Sequence, residues 1–485
     1  MPAYCKRDTF PIEMVTAVKN IFGRRKMAVQ PASGVSKYKP QAPKLRSFND
    51  QREKFFVGQD TPRDYLERCL EVIEGCNDDV KAWAYLNTDK ARQMADLSTK
   101  RYADGKPLSL IDGMPIGIKD LIETFDMPTE YNCELFKGNQ PIRDAASVYF
   151  LRQGGAVLVG KTVTVTLGGG DPSMTRNPYD LQRTPGGSSS GTCAAVGAGM
   201  IPGGLGTHAR GSTIRPASFC GNYGLKATFG ALNRQGGFSA AETMDHLGIL
   251  AGSIEDMWIM ARYISSTAGG DPGHPGLYGG SLPPIGKKPE RLIVIETAGW
   301  NETDDASKEA FNSAVRKLSD AGCEIYTRND DPAIEAYETE TAHSPELWRQ
   351  LYRFEMRFPM YQYLDYDSDK IPPRLKAGIQ EGAGLTQAEY RSALARRVYW
   401  REMHDAIARR CDAMITLSSP GPGPIGKDQG SAVFNEASSI IGMPAISLPV
   451  LTVEDMPLGM QIMGRVHCDE ALTAVGSWIS KDLLQ

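Results

Sequence analysis

The sequence predicts a large α/β domain, and three observations carry that prediction. A helical stretch at 144–153 runs through Gly154-Gly155 into an apolar, β-branched strand at 156–159, which is the step of a βαβ unit. The alternation resumes with a strand at 292–296 and a helix at 307–321 that stops at Gly322. Strands at 413–417, 445–450 and 459–463 then return the chain to the sheet. With 485 residues the chain is long enough for one sheet of this size.

Residues 1–58 form a basic arm, rich in Lys and Arg from Lys6 to Arg46, with an apolar-periodic piece at 10–22. Such an arm is expected to pack on its own domain or on a sister subunit of a homodimer. Residues 59–485 are read as one domain. Its first helix starts at Thr61, a good N-cap before Pro62, places Tyr65, Leu66, Cys69, Leu70 and Ile73 on one face, and is expected to stop at Gly75. A Gly/Pro-punctuated apolar stretch at 108–121 holds Lys119. The Ala-, Gly- and Ser-rich run at 188–200 reads as a close-packed helix whose N-terminus abuts Ser188. Residues 265–410 depart from this pattern. A Pro/Gly-rich connection at 271–289 precedes a charged, aromatic helical segment at 333–410, which reads as a lid laid over the sheet.

Composition narrows the function. Hydrophobic residues make up 41% and charged residues 23%, and a net charge of -4 gives no reason to expect nucleic acid, so a small molecule is the expected partner. The nine cysteines are scattered singly, which predicts neither a disulfide framework nor a metal site and favours a reducing compartment. No apolar run approaches the ~20 residues of a membrane span, and the N-terminus lacks a secretory h-region. A cytoplasmic protein without membrane insertion, metal or cofactor is expected.

Two serines in Gly-rich settings carry the chemistry. Ser188 lies in Thr184-Pro185-Gly186-Gly187-Ser188-Ser189-Ser190-Gly191, and Ser212 in Gly206-Thr207-His208-Ala209-Arg210-Gly211-Ser212. A serine hydroxyl needs a positioned base to act as a nucleophile. None of the six histidines stands in a nucleophile-elbow context, which leaves Lys119. A lysine serves as a base only when neutral, and moving its pKa from ~10.4 towards ~7 is a differential cost of ~4 to 5 kcal/mol. Burial among Ile116, Ile118, Leu121 and Ile122 supplies that shift, and hydroxyls hold an uncharged amine without recharging it. Ser188 is then the bridge and Ser212 the attacking group. The turn Ala209, Arg210, Gly211, Ser212 can aim its N–H groups at an oxyanion.

These residues resemble the amidase signature hydrolases. The likeness runs from about Thr61 onward. It includes Gly113-Met114-Pro115-Ile116-Gly117-Ile118-Lys119-Asp120, the Gly-Gly-Ser-Ser core, Gly206-Thr207, Gly211-Ser212, Pro216-Ala217, Gly221, Gly224-Leu225-Lys226, Gly442-Met443-Pro444-Ala445 and Pro457-Leu458-Gly459-Met460-Gln461. The resemblance implies an α/β/α sandwich with a large mixed, mostly parallel sheet. It also implies Lys119 as general base, Ser188 as bridge after a cis peptide bond, Ser212 as acyl nucleophile, and the amides of Ala209 to Ser212 as oxyanion hole. Hydrolysis of a small amide or carbamate with release of ammonia or an amine follows from it. Gly187, His208, Arg215, Gly168 and Gly169 are expected to touch the substrate. Further walls would come from 129–133, 167–170 and the helical segment.

The chain departs from the commonest family pattern, which has Asp after Gly-Thr, two glycines before the nucleophile and Arg two residues after it. Here those places hold His208, Arg210-Gly211 and Ile214. Arg215 stands three residues after Ser212, which resembles the malonamidase-type variant, where the arginine binds a substrate carboxylate; a buried structural pairing is the other reading. Arg210 or His208 is expected to narrow the pocket or contact the acyl group. Two rivals remain. Gly155-Ala156-Val157-Leu158-Val159-Gly160-Lys161-Thr162 satisfies a P-loop pattern, but a strand fills the interval a P-loop keeps flexible. The glutaminase-type subunit of a tRNA-dependent amidotransferase belongs to the same family, and His208 and Ile214 speak against it.

Overall fold

The computed structural model describes residues 44–484. Thr61 caps the first long helix as expected, accepting the Asp64 N–H, with Pro62 in the first turn. The helix does not stop at Gly75 but spans Pro62–Val80. Cys76 and Val80 prolong the buried stripe of Tyr65, Leu66, Cys69, Leu70 and Ile73, so packing outweighs the helix penalty of one glycine. Phe48, fully buried against Phe55 and Tyr65, fixes residues just ahead of this helix, and its N–H donates to Asp256 at 2.6 Å. The end of the expected arm thus packs on the domain, while its apolar-periodic piece at 10–22 lies outside the described residues.

Eleven strands form one sheet: β1 (Trp83–Leu86), β2 (Pro115–Lys119), β3 (Val157–Thr162), β4 (Gly203–His208), β5 (Tyr223–Lys226), β6 (His246–Ala251), β7 (Arg291–Val294), β8 (Glu324–Tyr326), β9 (Ala413–Leu417), β10 (Ala445–Val453) and β11 (Met456–Met463). Their order is β1-β3-β2-β4-β6-β5-β10-β11-β9-β7-β8. The sheet is mixed, as expected, but four of its ten described pairings are parallel, not the majority. Part of the reason is local. Glu454 and Asp455, with φ of 52° and 60°, make a two-residue turn that folds β10 back on β11 as a hairpin, and β9 and β5 flank it antiparallel.

Alternate residues of the central strands face opposite layers. Leu158 joins Ile116 and Ile118 in one core, and Val157 and Val159 join a second core under helices Pro62–Val80 and Ser190–Gly197. Gly191 is required there, because a Cβ would lie 2.3 Å from the Ala82 carbonyl oxygen and the Val163 nitrogen. The segment after β8 is helical, as expected, in five pieces: Pro332–Thr341, Ser344–Glu355, Arg357–Asp367, Pro373–Gly384 and Gln387–Ala408. Leu347, Trp348, Tyr352 and Leu375 from these helices share a third core with Ile214 and Met443. Among the described residues no helix is long and apolar enough to cross a membrane.

Candidate active site

Lys119 is the last residue of β2, between the parallel neighbours β3 and β4, and has no exposed surface. Its Nζ lies 2.7 Å from Ser188 Oγ, 3.1 Å from Ser189 Oγ and 2.6 Å from Thr207 Oγ1. The next residue, Asp120, sends its carboxylate elsewhere, to Lys161 Nζ at 3.2 Å. Burial with no carboxylate partner pulls the Lys119 ammonium down to about 7, with only minor opposition from Cys193 and Asp245. Three hydroxyl contacts match a neutral amine, which has two N–H donors and one lone pair. The Ser189 hydroxyl donates to the Thr207 carbonyl at 3.2 Å, so Ser189 must accept from the lysine. That leaves Ser188 free to direct its proton at the Nζ lone pair.

Ser188 follows the cis Gly187–Ser188 peptide bond anticipated from the resemblance. Its carbonyl accepts from Val165 N–H at 3.1 Å and Thr164 Oγ1 at 3.2 Å. Ser212, 9% exposed, stands two residues before the short helix Ile214–Phe219. The Ser189 N–H donates to the Ser212 carbonyl at 3.3 Å and fixes the two serine segments side by side. Among the described residues no hydrogen bond joins the Ser188 and Ser212 hydroxyls. None of the four N–H groups of Ala209 to Ser212 donates to another protein group there either, which leaves them available to a ligand. Gly211 allows the turn to pack closely: a Cβ would meet Asn435 Oδ1 at 2.6 Å and Ala432 Cβ at 2.8 Å.

Other expected substrate residues are placed differently. His208 has no exposed surface and does not reach the cleft, because as the last residue of β4 it points beneath the loop. Its Nδ1 accepts the Thr213 N–H at 3.2 Å, and its Nε2 pairs with Ser439 Oγ at 2.9 Å. Ser439 in turn donates to the Arg210 carbonyl at 3.1 Å, so the imidazole braces both ends of the turn. Burial holds His208 well below the usual histidine range, with Lys226 and Arg215 adding to it, and the ring is neutral. Gly187 is also buried behind the site, and its carbonyl accepts from Arg215 Nη2. Arg215 lines the cleft, but its guanidinium is held by the carbonyls of Gly187 and Gly430, the latter at 2.6 Å from Nη1. Burial first, and the like charges of Arg210 and Arg374, pull Arg215 down to about 9. The P-loop match is strand β3, fully buried, with Lys161 in the ion pair already described.

The cleft above Ser212 has a volume of about 110 Å³. Gly168, Gly169, Ala209 and Arg210 line it, and the helical segment adds Trp348, Tyr352 and Leu375. Arg210 lies over the Trp348 ring at 4.5 Å and donates through Nε to the buried Glu436 at 2.6 Å. Trp348 stacks on Tyr352 at 4.5 Å and donates to the Ala209 carbonyl at 3.2 Å. Sequence reasoning does not reach Ser189, Thr207, Ser439 or Glu436 as members of the site. The first two adjoin the serine and lysine motifs, whereas nothing local marks Ser439 and Glu436, which reach the loop from more than 200 residues away.

Comparisons with known proteins give the family and the fold. A family model described as Amidase matches residues 64–473. The A subunit of the glutamyl-tRNA(Gln) amidotransferase of Roseiflexus sp. (strain RS-1) is 29% identical over 469 residues, covering 89% of this chain and 95% of that protein. A solved amidase structure superposes with a TM-score of 0.79 at 25% identity, covering 90% of this chain and 100% of that one. The structure of 6-aminohexanoate cyclic dimer hydrolase shares the fold, with a TM-score of 0.77 at 22% identity over 91% of this chain and 97% of that one.

Proposed function

The chain belongs to the amidase family, and on that premise we propose that it hydrolyses a small carboxylic amide, or a related carbamate, through an acyl-enzyme on Ser212. The observation that carries the reading is the Lys119 amine, buried among three hydroxyls with no carboxylate beside it and held near neutrality. Ser212 Oγ attacks the carbonyl carbon, its proton passes to Ser188 Oγ, and the Ser188 proton passes to Lys119 Nζ. The relay requires the Ser212 and Ser188 hydroxyls to come within hydrogen-bond reach of each other in the substrate complex. The N–H groups of Ala209 to Ser212 meet the oxyanion. The adduct collapses with cleavage of the C–N bond. The departing nitrogen takes the proton back from Lys119 through Ser188, and an acyl ester stays on Ser212. Water attacks that ester by the same relay and releases the carboxylic acid.

A cytoplasmic setting belongs to the same reading, supported by eight described cysteines that stand free. The test is turnover of a panel of aryl, aliphatic and carboxylate-bearing amides and carbamates by the wild-type protein and Ser212→Ala. The variant should lose at least about a thousandfold in kcat while its unfolding midpoint stays in place. Equal turnover by the two proteins would overturn the reading. The similarity to amidotransferase subunits favours a second reading, a chain that acts within such a complex. Glutamine hydrolysis that depends on an added partner protein would establish that reading, and hydrolysis by the isolated chain would exclude it.

A further inference from the structure

The charges around the cleft do not balance. Arg210, Arg215, Arg353 and Arg374 line it, and no Asp or Glu side chain does. Arg210 is neutralised by Glu436. Arg215 touches backbone carbonyls and Gln429 Oε1 but no carboxylate, and its Nε is buried without a partner. Arg353, from helix Ser344–Glu355, approaches Glu381 at 3.3 Å, but that carboxylate is shared with Arg349 at 2.9 Å. Arg374 stands exposed in the first turn of helix Pro373–Gly384 and has no ion pair among the described residues.

A substrate that fills this cleft displaces water from Arg374, which no carboxylate neutralises among the described residues, and from Arg353, whose carboxylate partner is shared. A neutral substrate leaves them poorly solvated, and an ammonium is repelled outright. A carboxylate matches the planar donor fork of arginine. We propose that the substrate is an amide whose acyl part carries a second, free carboxylate and no ammonium, bound by Arg374 and Arg353 from the covering helices. This rests on the amidase reading above and names the substrate class of the same site. Arg215 is excluded as the main anchor because its two Nη groups are already committed to Gly187 and Gly430.

The test compares kcat/KM for succinamate and glutaramate with their methyl esters, and with asparagine and glutamine, which add an ammonium to the same skeletons. The free half-amides should be favoured over both other classes by about 10- to 100-fold, the worth of one charge-assisted pair. Arg374→Gln and Arg353→Gln should collapse that ratio through KM. Arg396→Gln, on helix Gln387–Ala408 and paired with Glu340 outside the cleft, should preserve it. Preference for the esters or for glutamine, or a ratio that survives both cleft variants, would overturn the proposal. Labelling by a fluorophosphonate separates the two levels. If Ser212 is labelled but the half-amides are not hydrolysed, the substrate class is wrong and the amidase reading stands. If Ser212 is not labelled, the amidase reading fails and the proposal falls with it.

Discussion

Replacing Lys119 with methionine is expected to stabilise the fold at neutral pH and to reverse sign in alkali. Burial holds the amine at about 7 against an ordinary 10.5. In the unfolded chain the lysine keeps its proton up to its ordinary pKa, so between these two values the unfolded state binds more protons and wild-type stability rises with pH. At about pH 7.5 roughly three pH units separate the solution from the unfolded pKa, and at about 1.4 kcal/mol per unit the neutral amine costs about 4 kcal/mol. At about pH 9.5 the same cost is about 1.4 kcal/mol. Methionine carries none of it but leaves Ser188, Ser189 and Thr207 without the amine, a loss of about 1 kcal/mol for each hydroxyl. The variant should be more stable than wild type by about 1 kcal/mol at about pH 7.5 and less stable by about 1 to 2 kcal/mol at about pH 9.5, with no turnover at either. Urea unfolding at the two pH values reads both differences. A difference of the same sign and size at both would refute the reasoning, because Lys119 would then titrate alike in the folded and unfolded chains.

Three further outcomes follow from contacts around the site. Ser189→Ala removes a hydroxyl 3.1 Å from Lys119 Nζ and should lower kcat about tenfold with little change in KM, measured at steady state on the best amide of the panel. Gly191→Ala forces a Cβ against backbone at 2.3 Å and should cost about 3 kcal/mol in urea unfolding; an unchanged midpoint would contradict the packing described. Glu436→Gln leaves Arg210 over Trp348 without its counter-charge. Because the Arg210 side chain is 40% exposed, the loss should be about 1 to 3 kcal/mol rather than that of a fully buried pair, again read by urea.

The chemistry of this site is more legible in the sequence than its geometry. Lys119, Ser188 and Ser212 are identifiable because few residue types can activate a serine without histidine, and the structure does bury the amine beside Ser188. Side-chain direction is not legible. His208 and Arg215 flank the nucleophile in sequence, yet one turns under the loop and the other spends its donors on carbonyls, because strand end and helix start aim them inward. Strand β4 does not register as a strand: Gly203, Gly204 and Gly206 look like a loop, and only their close approach to Gly117, Thr192 and Ser189 explains why small residues belong in a central strand. The hairpin of β10 and β11 lies between two expected strands whose direction depends on the turn at Glu454 and Asp455, so their antiparallel pairing is hidden in two φ angles.

The central claim is that an uncharged Lys119 draws the proton from the serine pair. The rate at which a fluorophosphonate phosphonylates Ser212, with fluoride as the leaving group, followed against pH, measures the base directly. The rate should climb as the lysine loses its proton, bend at about 7 and then stay level, and Lys119→Met should abolish the climb. A bend in the carboxylate range near about 4, or an unaltered profile in Lys119→Met, would show that another group takes the proton.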